Sequence, residues 1–131
     1  MPIIMATIVI QENDSAVLDV LILALQAEGH QSIGLLGSCP LAMSNVVKRN
    51  IPDLVLVDYR NRDNVGKTLL AVIKKLKAKL PVIALSCDLN ISKIAVQLGF
   101  DGFIRKPFDL DEIFETINKI LRPSAHLDYQ A

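Results

Sequence analysis

Residues 52–58 read Pro52-Asp53-Leu54-Val55-Leu56-Val57-Asp58, four consecutive apolar residues held between a Pro-Asp pair and a single carboxylate. An apolar run without polar alternation is what a strand needs when both its faces are covered, and that burial belongs to parallel sheets flanked by helices. Asp58 closes such a strand and is therefore no casual surface charge. Two further runs of the same character, Ile8-Val9-Ile10 and Val82-Ile83-Ala84-Leu85, lie on either side of it in the chain.

Outward from this stretch, strand and helix patterns alternate five times. Strands are predicted at Met5–Gln11, Gln31–Leu36, Asp53–Asp58, Pro81–Ser86 and Asp101–Arg105. The first helix, Ser15–Glu28, carries Val17, Val20, Leu21 and Ala24 at helical spacing toward the core and stops at Gly29. Leu18, Ile22 and Leu25 form a second apolar stripe, read as packing on a neighbouring helix or else as a contact surface for a partner. The pattern is weakest between Pro40 and Asn50. Leu69, Val72, Ile73 and Leu76 mark a helix ending before Pro81, and Ile91, Ile94, Ala95 and Leu98 one closed by Gly99. Ile113, Phe114, Ile117 and Leu121 mark the last, with Asp109 as N-cap and Glu112 as its reciprocal partner. Five β-α units of this kind give an α/β fold, a doubly wound five-stranded parallel sheet with helices on both faces, whose chemistry collects beyond the carboxyl ends of the strands.

Composition narrows the function. The 131 residues suit one domain; 51% are hydrophobic and 21% charged, which excludes intrinsic disorder. Fourteen basic residues balance fourteen acidic ones, so a basic nucleic-acid-reading surface is not expected. The longest apolar run, Val20–Leu25, is far short of the ~20 residues that span a bilayer. Met1–Ile10 lacks a basic leader and a cleavage site, so it reads as a strand rather than a signal, and a cytoplasmic location is expected. Cys39 and Cys87, without a CxxC, with only His30 and His126, make neither a disulfide framework nor a zinc set. Both thiols are expected to be reduced and structural. Gly34-Leu35-Leu36-Gly37-Ser38 lacks the spacing and the Lys-Ser/Thr of a phosphate loop, and no GxGxxG occurs, which argues against nucleotide binding.

The strand ends bring together Glu12, Asn13 and Asp14 after the first strand, Asp58 after the third, Ser86 after the fourth and Lys106 after the fifth. Taken singly, these read as solvated loop charges and a turn serine. Their convergence on one edge points instead to phosphoryl transfer onto Asp58, with Mg²⁺ and Lys106 neutralising the transferred group and Ser86 donating to one of its oxygens.

With these residues on it, the chain resembles the receiver domains of bacterial two-component response regulators, a flavodoxin-like fold. The likeness runs from Ala6 to about Leu121 and rests on Pro52–Asp58, on Gly66, and on Gly99-Phe100-Asp101-Gly102-Phe103-Ile104-Arg105-Lys106-Pro107-Phe108. It implies that Asp58 is the phosphoacceptor, Lys106 the phosphate-binding lysine, Ser86 the switch hydroxyl and Phe103 the aromatic that moves with it. It also implies a cis peptide before Pro107, and Mg²⁺ held by Glu12, Asn13, Asp58 and the backbone carbonyl of Arg60. A domain over residues 1–122 and a polar tail over 123–131 follow. The expected partners are a sensor histidine kinase or histidine phosphotransfer protein and a downstream protein or output domain, with a homodimer as a further option.

The sequence departs from that pattern in three places. Where the family places an acidic pair, the ungapped reading gives Glu12 and Asn13; a one-residue shift gives Gln11 and Glu12. Either way one acid becomes an amide, so weaker metal binding is expected, with Asp14 compensating in part. The loop after Asp58 lacks Met-Pro, and the side chains of Arg60 and Asp88 are placed to pair across the path of hydrolytic water, or to be plain surface charges. Cys87 follows the switch hydroxyl as a compact residue, its redox role unsupported by a basic neighbour. Two readings of function remain: a phosphorylated receiver that switches the face built from the fourth helix, fifth strand and fifth helix, and a pseudo-receiver that docks a partner without phosphorylation.

Overall fold

The computed structural model describes residues 5–61 and 64–122. The tail at 123–131, His126 within it, and Met1–Ile4 of the first apolar stretch lie outside the described residues. The elements run β1 (Thr7–Glu12), α1 (Ser15–Ala27), β2 (Gln31–Leu36), α2 (Pro40–Asn50), β3 (Leu54–Asp58), α3 (Val65–Leu76), β4 (Val82–Ser86), α4 (Ile91–Leu98), β5 (Gly102–Arg105) and α5 (Leu110–Leu121). All four pairings are parallel and the strand order is β2-β1-β3-β4-β5. The ten elements are those read from the sequence; β2 has the expected bounds, the other four strands start one or two residues later, and β1 ends at Glu12 rather than Gln11.

Alternate residues of each central strand feed opposite faces, which is why the runs are continuously apolar. Val9, Val55, Val57, Val82 and Ala84 pack beneath α2, α3 and α4 with Met43, Leu69, Ile73 and Ile91. Ile8, Ile10, Leu54, Leu56, Ile83 and Leu85 pack beneath α1 and α5 with Leu21, Leu25, Ile113 and Ile117. Each fully buried Leu or Ile contributes ~1.5–3 kcal/mol of transfer free energy. The edge strands β2 and β5 are the exceptions, each partly open along its length.

Helix α1 is rotated from the face expected of it. Its buried residues are Leu18, Leu21 and Leu25, while Val20 is 50% exposed. Leu18 and Ile22 lie on the sheet at Gly34, where a Cβ would stand 2.6 Å from Ile22 Cδ1. The stripe taken for a helix contact or a docking surface is thus the core face itself, and Gly34 serves close packing. Both cysteines are free, and both are exposed rather than packed in the core. Helix α5 starts at Asp109, whose Oδ1 accepts from the Glu112 N–H (2.8 Å); among the described residues no bond returns from the Glu112 carboxylate. His30, 8% exposed, accepts from the Ala6 N–H through Nδ1 (3.1 Å) and ties the start of β1 to β2.

Candidate functional site

The chain leaves β1 for β2 on one side and returns to β3 on the other, so the carboxyl ends of β1 and β3 flank the point where strand order reverses. A crevice opens at such a point. Here it is a cleft of about 600 Å³ lined by Glu12, Asp14, Asp58, Arg60, Ser86, Cys87 and Lys106, among others.

Asp58 is the last residue of a strand buried throughout, and its side chain is 2% exposed. A carboxylate so placed needs compensation. Lys106 Nζ stands 3.0 Å from Oδ1, Asn13 Nδ2 donates to Oδ2 at 2.9 Å, and Arg60 Nε lies 3.4 Å from Oδ2. Lys106 also reaches Glu12 Oε2 at 2.7 Å, so one ammonium bridges two buried carboxylates. The other Glu12 oxygen, Oε1, accepts from the backbone N–H groups of Asn13 (3.0 Å) and Asp14 (3.2 Å). Lys106 is held by its own N–H on the Ser86 carbonyl (2.8 Å) and precedes a cis peptide to Pro107.

These contacts set the charge states. Burial by itself pushes the Asp58 carboxyl up, but the bonds from Asn13 and Lys106 and the lysine's charge outweigh it, so its pKa lies below the ordinary carboxylate value. Burial likewise pulls Lys106 down, and the bonds to Glu12 and Asp58 overcome it, raising its pKa. At neutral pH the centre is an ionised carboxylate facing an ammonium, able to act as a nucleophile and to hold an anion beside it.

The other expected residues fall in different places. Ser86 is buried in the cleft wall, its Oγ accepting from the Asp88 N–H at 3.1 Å. Phe103 lies outside the cleft on β5, packed against the α2–α4 side, with the Arg105 guanidinium 5.4 Å over its ring. Asp14 lines the same cleft and caps α1 through Oδ1, which accepts from Ala16 N (2.9 Å) and Val17 N (3.2 Å). Arg60 and Asp88 do not pair: Arg60 is drawn to the buried Asp58 charge, and Asp88 Oδ1 is taken by the Asn90 N–H at 2.8 Å. The Gln11 side chain avoids the Asp58 carboxylate. Its Oε1 accepts from the Asp58 N–H (2.9 Å) and its Nε2 donates to the Gly37 carbonyl (2.8 Å), so the residues that reach the centre are Glu12, the last of β1, and Asn13 just after it. One participant, Ser38, escaped the sequence reading, and Gln11 was weighed there only as an alternative member of the acidic pair. Ser38 Oγ donates to Asn13 Oδ1 at 2.7 Å, and Gln11 lies behind it. Only Gln11 left a signal, as a polar residue ending an apolar strand run.

The family model described as the response regulator receiver domain matches residues 8–118. Over 122 residues, 92% of this chain, it is 30% identical to the transcriptional regulatory protein GlrR of Escherichia coli, covering 27% of that protein; over 117 residues, 88% of this chain, it is 34% identical to the transcriptional regulatory protein BasR of the same organism, covering 52%. Against the chemotaxis protein CheY of Bacillus subtilis identity is 38% over 76 residues, 56% of this chain and 63% of CheY. The signal receiver domain of a two-component response regulator from Bacteroides fragilis superposes with a TM-score of 0.79 at 27% identity, covering 90% of this chain and 98% of that one. The sheet order, the cleft and the matched family define a receiver domain of the two-component response regulators. The chain belongs to the response regulator receiver family, and it spans about a quarter to a half of the length of the two transcriptional regulators.

Proposed function

We propose that Asp58 is the phosphoacceptor of this receiver domain and takes its phosphoryl group from a phosphohistidine. The observation that carries the reading is the buried Asp58 carboxylate held ionised at the sheet's switch point with Lys106 at 3.0 Å. In the transfer, an Asp58 oxygen attacks phosphorus in line, the P–N bond to the donor imidazole breaks, and the imidazole leaves with its electron pair, giving an acyl phosphate. Lys106 neutralises a phosphoryl oxygen while keeping its hold on Glu12. Ser86 turns its hydroxyl from the Asp88 N–H to another oxygen. Phe103 follows and leaves the Arg105 guanidinium, altering the face formed by α4, β5 and α5.

The donor set suits Mg²⁺. Asp58, Glu12, the Asn13 amide oxygen and the Arg60 carbonyl are all hard oxygen donors, and the ion would neutralise charge on the transferred group. Asn13 faces Asp58 with its NH₂, so its amide must reverse to serve, and a neutral amide attracts the ion less than an acid does. Binding is accordingly weak.

A cytoplasmic location accords with this role, and no helix among the described residues is long and apolar enough to cross a membrane. The partners under this reading are a histidine kinase or phosphotransfer protein upstream and a protein or output domain downstream. The domain acts in signalling, its chemistry confined to its own phosphorylation and dephosphorylation. Incubation with a small-molecule phosphodonor and Mg²⁺, followed by intact mass measurement, tests it. One phosphoryl adduct is expected on the wild type and none on Asp58→Asn; an unmodified wild type, or an adduct that persists in the variant, counts against it.

A further inference from the structure

A polar chain runs behind the Asp58 carboxylate. Gln11 Nε2 lies 3.4 Å from Ser38 Oγ, Ser38 Oγ donates to Asn13 Oδ1 at 2.7 Å, and Asn13 Nδ2 donates to Asp58 Oδ2 at 2.9 Å. Every donor in it points the same way and the chain ends on a negative charge, the arrangement in which successive hydrogen bonds polarise and strengthen one another. Gln11 cannot turn. It is fully buried, and reversing its amide would set its NH₂ against the Asp58 N–H and its oxygen against the Gly37 carbonyl.

We propose that Ser38, oriented by Gln11, is a positioning residue that locks the Asn13 amide with its NH₂ on Asp58 and so opposes the reversed amide that a divalent cation requires. The inference deepens the phosphoacceptor reading and rests on it for its purpose. The asymmetry lies in the hydroxyl. With Asn13 as it stands, Ser38 receives one N–H and passes on its own O–H. With the amide reversed, the N–H groups of Gln11 and Asn13 converge on one oxygen, and the serine hydrogen must look elsewhere. Ser38 lies on the half-exposed turn between β2 and α2, so in Ser38→Ala the reversed amide's NH₂ meets water without that conflict. The lock thus links the metal preference of the site to the β2–α2 turn.

The test is Mg²⁺ titration of ¹⁵N-labelled full chain, following the Asn13 side-chain NH₂ pair, which is identified by its absence in Asn13→Asp. Ser38→Ala is expected to move that pair in the metal-free protein and to tighten Mg²⁺ binding about three- to tenfold, the range set by one hydrogen bond. Ser38→Thr, which keeps the hydroxyl, is expected to retain the wild-type behaviour. Superimposable titrations of wild type and Ser38→Ala, or weaker binding in the variant, overturn the lock. Those results are distinct from failure of the phosphoacceptor reading, which shows as the absence of an Asp58 adduct in the mass assay whatever the Mg²⁺ affinities.

Discussion

Lys106 holds two buried carboxylates at 2.7 and 3.0 Å, and its removal leaves both uncompensated. Lys106→Met is expected to lower unfolding free energy by about 3 kcal/mol in denaturant titration, whereas a surface lysine costs little. The same pair sets a pH dependence. The Asp58 pKa is lowered on folding, so its contribution is present above the unfolded value near 3.8 and is lost as pH falls through the folded one; the Lys106 contribution is present below 10.5 and is lost as pH rises through its raised folded value. His30 works in a third window. Burial lowers its pKa against the pull of Glu28, so the unfolded chain binds its proton first and stability falls as pH drops below about 6.5. His30→Asn, which keeps an acceptor for the Ala6 N–H, is expected to flatten thermal stability between pH 7 and 5; an unchanged slope would contradict this. Asp58 was legible because a carboxylate closing a buried apolar strand stands out against its neighbours; Lys106, which follows Arg105 just past β5, was legible by its place at the same sheet edge. The direction of the Asn13 amide was not, because it depends on Ser38, 25 residues away on another loop.

Among the elements, α2 ends on a residue that its position strains. Ile51 has φ 47°, a left-handed conformation that disfavours β-branched side chains, and its own side chain is 66% exposed. Ile51→Gly is expected to raise stability by about 1 kcal/mol, read as a higher denaturation midpoint at unchanged slope. Gly66 behaves in the opposite sense. A Cβ there would lie 2.9 Å from Tyr59 Cδ1 and 3.1 Å from its Cα, so Gly66→Ala should cost about 1–3 kcal/mol and disturb the loop after Asp58. Element order and type were readable because β3 and β4 are apolar at every position before their last, Asp58 and Ser86, and the helices repeat at their own period. The facing of α1 was not. Its residues from Val17 to Leu25 are apolar on two adjoining stripes, and the choice between them is made by Gly34, whose missing side chain admits Leu18 and Ile22.

For the molecule as a whole, formal charge is balanced at 0 and the sequence pI is near 6.7, so a single added group is felt. Turning the Asp58 carboxylate into an acyl phosphate adds about one negative charge at neutral pH and places it where Lys106 and Ser86 converge. Under the proposed mechanism the group is carried by Asp58 itself. Treatment with phosphodonor and Mg²⁺, then borohydride reduction and peptide mass mapping, reads this directly, because reduction converts an aspartyl phosphate to homoserine at the residue that held it. Homoserine at position 58 is the predicted result; its absence there, or a reduced acid at position 12 or 14 instead, would contradict phosphorylation of Asp58.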